Sequence, residues 1–258
     1  MKIVALANSH GLYKEEIPEC DVLVHAGNIC NGESPIADFN TFCTWLQSNE
    51  GKFKHVLYVP GNWDYLIYKE LKRSVETLSL FNATVLLDRS IELNGVVFYG
   101  CPWGPITAKG AFTCLGTDHD KFKFPEKLDV LITHHNPYFI LDSVRRSCET
   151  YYMGGKQHNT TYYYAHEGFY AIKEGVKELK HPPKIHIFGH IGPEEGEKWT
   201  IKENGIRFCN VSLTNPKNTL THHPRVIEYE KEEVSPGFDY LNQSWLDTVP
   251  KLLRLNKE

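Results

Sequence analysis

The chain has 258 residues, 41% of them apolar and 23% charged, with a formal net charge of −4. That balance fits one large α/β domain, or less economically two small ones, and offers no basic footprint, so neither nucleic acid nor a membrane is expected as a partner. The seven cysteines are scattered without a CxxC pair, which argues against a zinc knuckle or thioredoxin motif and for reduced thiols in the cytoplasm. The N-terminal apolar run is too short for a secretory signal, and no apolar stretch approaches 18 residues.

Short apolar runs that end in polar, glycine-bearing turns recur along the chain. KIVALA (residues 2–7) runs into Asn8-Ser9-His10, and DVLVHA (21–26) into Gly27-Asn28. Ser34 and Pro35 open a helical pattern with Ile36, Phe39, Phe42, Cys43 and Leu46 on one side, Ser34 being the expected N-cap and Pro35 the first helical residue. HVLYV (55–59) runs into Pro60-Gly61-Asn62, and a further strand is expected over 96–99. Residues 108–124 read as a surface loop. DVLIT (129–133) then runs into His134-His135-Asn136.

The stretch 145–166 carries Tyr151, Tyr152, Tyr162, Tyr163 and Tyr164 and reads as an irregular, tyrosine-rich segment outside the core. Phe169, Ile172, Val176 and Leu179 recur at helical spacing. KIHIF (184–188) runs into Gly189-His190, and strands are expected over 198–201, 206–210 and 225–229, the turn 203–205 forming a hairpin. Nearly continuous apolar runs mark strands buried on both faces. Strands alternating with helices, followed by hairpins, predict a layered sheet sandwich flanked by helices. The domain is expected to span residues 1–235. The tail, 236–258, carries Leu241, Trp245, Leu246, Leu252 and Leu253 and is expected to dock on the body or on a partner.

Ligands of α/β sheets bind beyond the carboxyl ends of the strands, and five successive runs here deliver His, Asn or Gly to that place. A single histidine in a turn is an ordinary solvated or capping residue. Five such ends in order point to a site.

The order of these segments resembles the calcineurin-like metallophosphoesterase superfamily over roughly residues 1–230. The nearer resemblance is to its metallophosphoesterase-domain subgroup, linked with cyclic-nucleotide phosphodiesterase activity; YGCPWGP (99–105), LITHHNP (131–137) and HIFGHI (186–191) carry it. The resemblance implies a four-layer α/β/β/α sandwich and a centre of two divalent cations that clamp phosphate and activate water. Two cations roughly 4 Å apart need anionic ligands between them. At the matching positions Asn8 stands for the first aspartate, Asn28 for the bridging aspartate, Trp63 for the histidine acting on the leaving group and Gly192 for the last histidine, while His10, Asn62, His134 and His190 are kept.

These substitutions leave Asn28, Asn62, His134 and His190 as a weak residual metal set and Asn8, His10, Trp63 and Gly192 as former site positions. No cofactor is expected beyond one weakly bound divalent ion, because amides supply no charge and bind transition metals poorly. Trp63 is expected to fill the vacated space. His135 could substitute as a ligand, but it neighbours a family position that is usually small and does not bind metal, so packing is the expectation preferred for it. The functional expectation is a catalytically impaired homologue acting as a scaffold or binding subunit, with protein assembly partners. The alternatives are a phosphoesterase with a mononuclear centre and a phosphate or nucleotide sensor.

Overall fold

The structure, a computed structural model, describes residues 1–13, 16–108, 110–151, 158–194, 197–215 and 217–230. The tail at 236–258 lies outside these, as does Tyr152. The chain begins with β1 (Lys2–Leu6), β2 (Cys20–His25), α1 (Pro35–Ser48) and β3 (Phe53–Tyr58). Helices α2 (Tyr65–Lys69) and α3 (Leu71–Ser79) lead into β4 (Ala83–Val85), β5 (Arg89–Leu93) and β6 (Val96–Cys101). Two-residue strands β7 (Gly104–Pro105) and β8 (Thr113–Cys114) precede β9 (Val130–Thr133), β10 (Ser143–Tyr151) and β11 (His158–His166). The described chain closes with α4 (Tyr170–Lys177), β12 (Ile185–Phe188), β13 (Thr200–Glu203), β14 (Ile206–Asn210) and β15 (Arg225–Glu228).

The strands form a five-stranded sheet in the order β15-β1-β2-β3-β4 and a six-stranded sheet in the order β13-β14-β12-β9-β6-β5. Their centres are parallel, and antiparallel strands sit at the edges. Alternation along each strand sorts the side chains between layers. Ile3 and Ala5 of β1, Val130 and Ile132 of β9, and Ile185 and Ile187 of β12 meet between the sheets. Val4 and Leu6 face the other way, into a core with Phe39, Phe42 and Leu46 of α1 and Leu78 of α3. On the far side, Leu131 and Phe208 pack with Ile172 and Val176 of α4. Helix, sheet, sheet and helix give the four layers of the calcineurin-like metallophosphoesterase fold. Both faces of each sheet are covered, which is why the strands read as unbroken apolar runs.

The beginning of α1 differs from expectation. Ser34 makes no side-chain cap; Asn31 Oδ1 instead accepts from the Glu33 and Ser34 N–H groups at 2.8 and 3.1 Å, and Asp38 Oδ2 accepts from Asn31 N–H at 2.8 Å. Ile36, in the first turn, stays 63% exposed. The segment 108–124 is more than a surface loop: Ala111, Phe112, Cys114, Phe122 and Phe124 are buried.

The tyrosine-rich segment is a regular hairpin. Residues of β10 and β11 pair in antiparallel register, Val144 opposite Ala165 and Arg146 opposite Tyr163, as a sheet of their own. Tyr162, Tyr163 and Tyr164 remain exposed on it. Its base is held by the buried Asp142, whose Oδ2 accepts from the Phe139 and Gly168 N–H groups, both at 2.9 Å, while Oδ1 meets His166 Nδ1 at 2.7 Å.

Candidate functional site

The turn-bearing strand ends converge where the two sheets meet. Ala7 bridges to Ser212, donating to Val211 O and accepting from Leu213 N–H, both at 2.9 Å. The backbone then enters the left-handed region at Asn8 (φ 53°), His10 (φ 49°), Gly27 (φ 96°) and Asn28 (φ 59°), which asparagine and glycine tolerate best. A Cβ on Gly27 would stand 2.3 Å from His134 Nδ1, so the glycine also makes room for that imidazole.

Hydrogen bonds fix the orientation of each polar side chain here. Asn8 Nδ2 donates to Gly189 O at 2.9 Å, His190 O at 3.1 Å and Ser212 Oγ at 3.0 Å. Two of those partners are carbonyls, which only accept, so Oδ1 points away from them. It is a buried acceptor without a partner among the described residues. The Trp63 N–H donates to Asn28 Oδ1 at 2.9 Å, which turns Asn28 Nδ2 toward Asn62 Oδ1 at 3.2 Å. Asn62 Nδ2 then donates to Ala108 O at 3.3 Å.

The histidines obey the same logic. His134 Nδ1 lies 2.7 Å from Ala26 O and must carry the hydrogen, leaving Nε2 with a bare lone pair. That lone pair faces Asn62 Oδ1 at 3.1 Å. His10 Nδ1 donates to Cys30 O at 3.0 Å, and its Nε2 is buried and unpartnered among the described residues. The site therefore collects oxygen and nitrogen lone pairs and few protons to meet them.

Burial keeps these imidazoles neutral. It pushes His134 and His135 well below the usual histidine range, with His190 beside them adding to the effect. Burial brings His190 down to about 4 and also lowers His10. His134, His135 and His190 are close neighbours: ring centroids lie 5.1 Å apart for His134–His135 and His134–His190, and 4.0 Å apart for His135–His190.

Asp64 is the buried carboxylate next to this cluster. Oδ2 accepts from Gly61 N–H at 2.7 Å and Asn28 N–H at 2.8 Å, and Oδ1 from Cys30 N–H at 3.1 Å. Burial pushes its carboxyl up even so, the three amides opposing the shift. Its oxygens hold two strand-end turns together and are not directed at a shared ion.

Above these groups is a cavity of about 170 Å³, lined among others by Asn8, His10, Asn28, Trp63, Arg146 and His190. The Trp63 indole leans on His10 with centroids 4.8 Å apart. It forms a wall and leaves the space beside it open, where filling was expected. Arg146, from the hairpin, reaches the rim, its Nε donating to Glu167 Oε1 at 2.7 Å. Sequence reasoning missed Arg146 and Ser212, and it offered His135 as a ligand only behind packing. The first two come from segments with no motif, and His135 was discounted beside its better-matched neighbour.

No family model matches the chain. UPF0046 protein C25E10.12 of Caenorhabditis elegans is 24% identical over 259 residues, spanning 88% of this chain and 80% of that protein. Human Metallophosphoesterase domain-containing protein 1 is 24% identical over 238 residues, spanning 83% of this chain and 66% of its own length. The chain is a homologue of the calcineurin-like phosphoesterases. The fold of TT1561 of Thermus thermophilus is also similar, with a TM-score of 0.50 at 13% identity over 81% of this chain and 88% of that one.

In this phosphoesterase homologue the positions matched by sequence lie together at the strand ends. Asn28, Asn62 and His134 touch in series, and His190 stands beside His134. Asn8 and His10 line the same cavity, Asn8 Nδ2 donating to His190 O and the His10 N–H to Asn28 O, both at 3.1 Å. Gly192 lies against Ser212, the partner of Asn8, and has no room for a side chain: a Cβ there would fall 1.7 Å from Thr214 O and 2.9 Å from Ser212 Oγ, so a side chain at 192 requires backbone movement. Asn28 turns its nitrogen, not its oxygen, to Asn62, so coordination through oxygen would sacrifice the Trp63 bond. A two-cation centre fits this donor set poorly. Asn8, His10, Asn28, Asn62, His134 and His190 are all uncharged, and the nearby Asp64 is committed to backbone amides, so no anion is aimed between two dications.

Proposed function

We propose that this phosphoesterase homologue no longer hydrolyses phosphoesters efficiently and acts as a cytoplasmic scaffold or binding subunit with protein partners. One observation carries the reading: amides and neutral imidazoles occupy the positions where the family holds its cation pair, and Asn8 is built into its surroundings through three hydrogen bonds. An aspartate at position 8 would set a carboxylate oxygen against the carbonyls of Gly189 and His190. The exposed tyrosines of the hairpin are candidate contact residues, since aromatics are enriched at interfaces. Among the described residues no helix is long and apolar enough to cross a membrane, and all seven cysteines are free, which supports a reducing compartment.

A generic phosphodiester and a cyclic nucleotide, assayed with added manganese or zinc, test the proposal. The expected result is no turnover above the uncatalysed rate. Turnover that disappears in His134→Ala would overturn it.

The second reading is a mononuclear centre, favoured by the lone pairs of His134 Nε2 and Asn62 Oδ1 that face each other at 3.1 Å. A single cation would satisfy both, and Asn28, Asn62, His134 and His190 are the residues that the family pattern nominates around it. Such an ion would supply Lewis acidity toward a phosphoryl oxygen; this chain's part would be to keep the imidazoles neutral and to exclude water beneath the cavity. The open cavity with Arg146 at its rim also suits a phosphate or nucleotide bound without turnover.

A further inference from the structure

We infer that His134, His135 and His190 form a mononuclear site for one borderline transition-metal ion, with His135 recruited as a ligand that the family pattern does not use. The inference rests on the reading that the two-cation centre is gone. It replaces the expectation that His135 is packing.

One ring nitrogen from each of the three lies within 4.8 Å of the others. Among the described residues this is the cluster of His, Cys, Asp or Glu side chains placed for an ion. His135 is 2% exposed, and its ring lies against Gly104, where any Cβ would stand 1.8 Å from Nε2. That close contact is packing, but packing leaves the ring's polarity unexplained. Nε2 of His135 and Nδ1 of His190 are both buried without a hydrogen-bond partner among the described residues. An apolar ring would fill the same volume without burying an unsatisfied nitrogen.

The chemistry of the donors selects the ion. Three neutral imidazoles bring no charge, so they suit zinc, cobalt, nickel or copper and not magnesium, calcium or manganese, which prefer anionic oxygen. Tetrahedral zinc with Zn–N bonds of about 2.0–2.1 Å sets its nitrogens roughly 3.3 Å apart. From separations of up to 4.8 Å, the three rings would have to close inward by up to about an ångström. The Ala26 carbonyl already fixes the His134 tautomer by accepting from Nδ1, the outer hydrogen bond that zinc-bound imidazoles require. Asn62 Oδ1, 3.1 Å from His134 Nε2, is placed for the fourth position.

The test titrates zinc chloride into the full chain by calorimetry and counts imidazoles on the loaded protein by zinc K-edge X-ray absorption. The expected result is one equivalent, with three imidazoles in the first shell and at least a tenfold loss of affinity in His135→Phe, which keeps ring volume. Unchanged affinity in a folded His135→Phe overturns the inference, as do two imidazoles or no binding at millimolar zinc. If His135→Phe fails to fold, the imidazole count on the unaltered chain decides. Two equivalents at this site would instead contradict the loss of the cation pair, so the two failures are distinguishable.

Discussion

Nε2 of His134 faces Oδ1 of Asn62 at 3.1 Å, acceptor to acceptor. The Ala26 carbonyl takes the only hydrogen of the neutral ring, and the chain from Trp63 N–H through Asn28 to Asn62 fixes the amide. Either a proton on Nε2 or a cation relieves the contact. Burial and the neighbouring His190 oppose the proton, which favours the ion proposed above.

Asn62→Asp tests that relationship. A carboxylate at this distance favours the imidazolium, so the His134 pKa should rise relative to the unaltered protein, and divalent ions should bind at least tenfold more tightly. Imidazole resonances followed by NMR across the acid range, with metal titrations in parallel, measure both. An unmoved His134 would mean that the two side chains are not in contact.

Asn8→Asp should destabilise the fold. Its amide nitrogen donates to Gly189 O, His190 O and Ser212 Oγ, and the substitution replaces two of those bonds with oxygen–oxygen repulsion. A loss of about 1–3 kcal/mol is expected from leaving buried partners unsatisfied, read from urea midpoints. Equal stability would show that the turn adapts to an aspartate easily.

Gly192→Ala is the steric counterpart. Its Cβ would meet the Thr214 carbonyl oxygen at 1.7 Å, a backbone atom that cannot rotate aside. Overpacking of this kind typically costs about 1–3 kcal/mol, and thermal denaturation should show it. A histidine at 192 should be worse, so restoring metal uptake should start from Asn8→Asp, Asn28→Asp and Trp63→His without it.

Stability should also fall on acidification below neutrality. His25 and His186 are 0% exposed, and burial lowers each to about 3. Both stay neutral in the folded protein, while the unfolded chain takes up protons below about pH 6.5. The unfolded state then binds more protons, so stability declines as pH falls from about 6.5 toward 3, by up to about 1.4 kcal/mol per pH unit for each histidine. Urea melts from about pH 7 to about pH 4 should show this, with a shallower slope in His186→Phe; an identical slope would contradict it.

The parts of this molecule legible in the sequence are those fixed by local pattern. Ile3, Ala5, Val4 and Leu6 form one apolar run because β1 is covered on both faces, and such runs identify both sheets. Helix α3 was overlooked although Leu71, Val75 and Leu78 recur at i, i+4 and i+7 along it. The hairpin β10–β11 was missed because its strands pair only with each other and carry exposed residues such as Tyr162, Tyr163 and Tyr164, so little of it shows the pattern of a buried strand. At the site, the positions of Asn8, Asn28 and Asn62 followed from motif order. The direction of each amide did not, since it depends on partners more than 30 residues away: Gly189 for Asn8, Trp63 for Asn28 and Ala108 for Asn62. The gathering of His135 with His190 is likewise set by β9 and β12 lying side by side.

Equilibrium dialysis of the full chain against manganese, with elemental analysis of the retained metal and a phosphodiester assay on the same sample, tests the loss of the cation pair most directly. Fewer than one manganese per chain and no turnover are predicted, because among the described residues Asp64 is held by backbone amides and Glu167 by Arg146, which leaves neither free to bridge two hard dications. Two manganese ions per chain, with hydrolysis that vanishes when they are removed, would contradict the account.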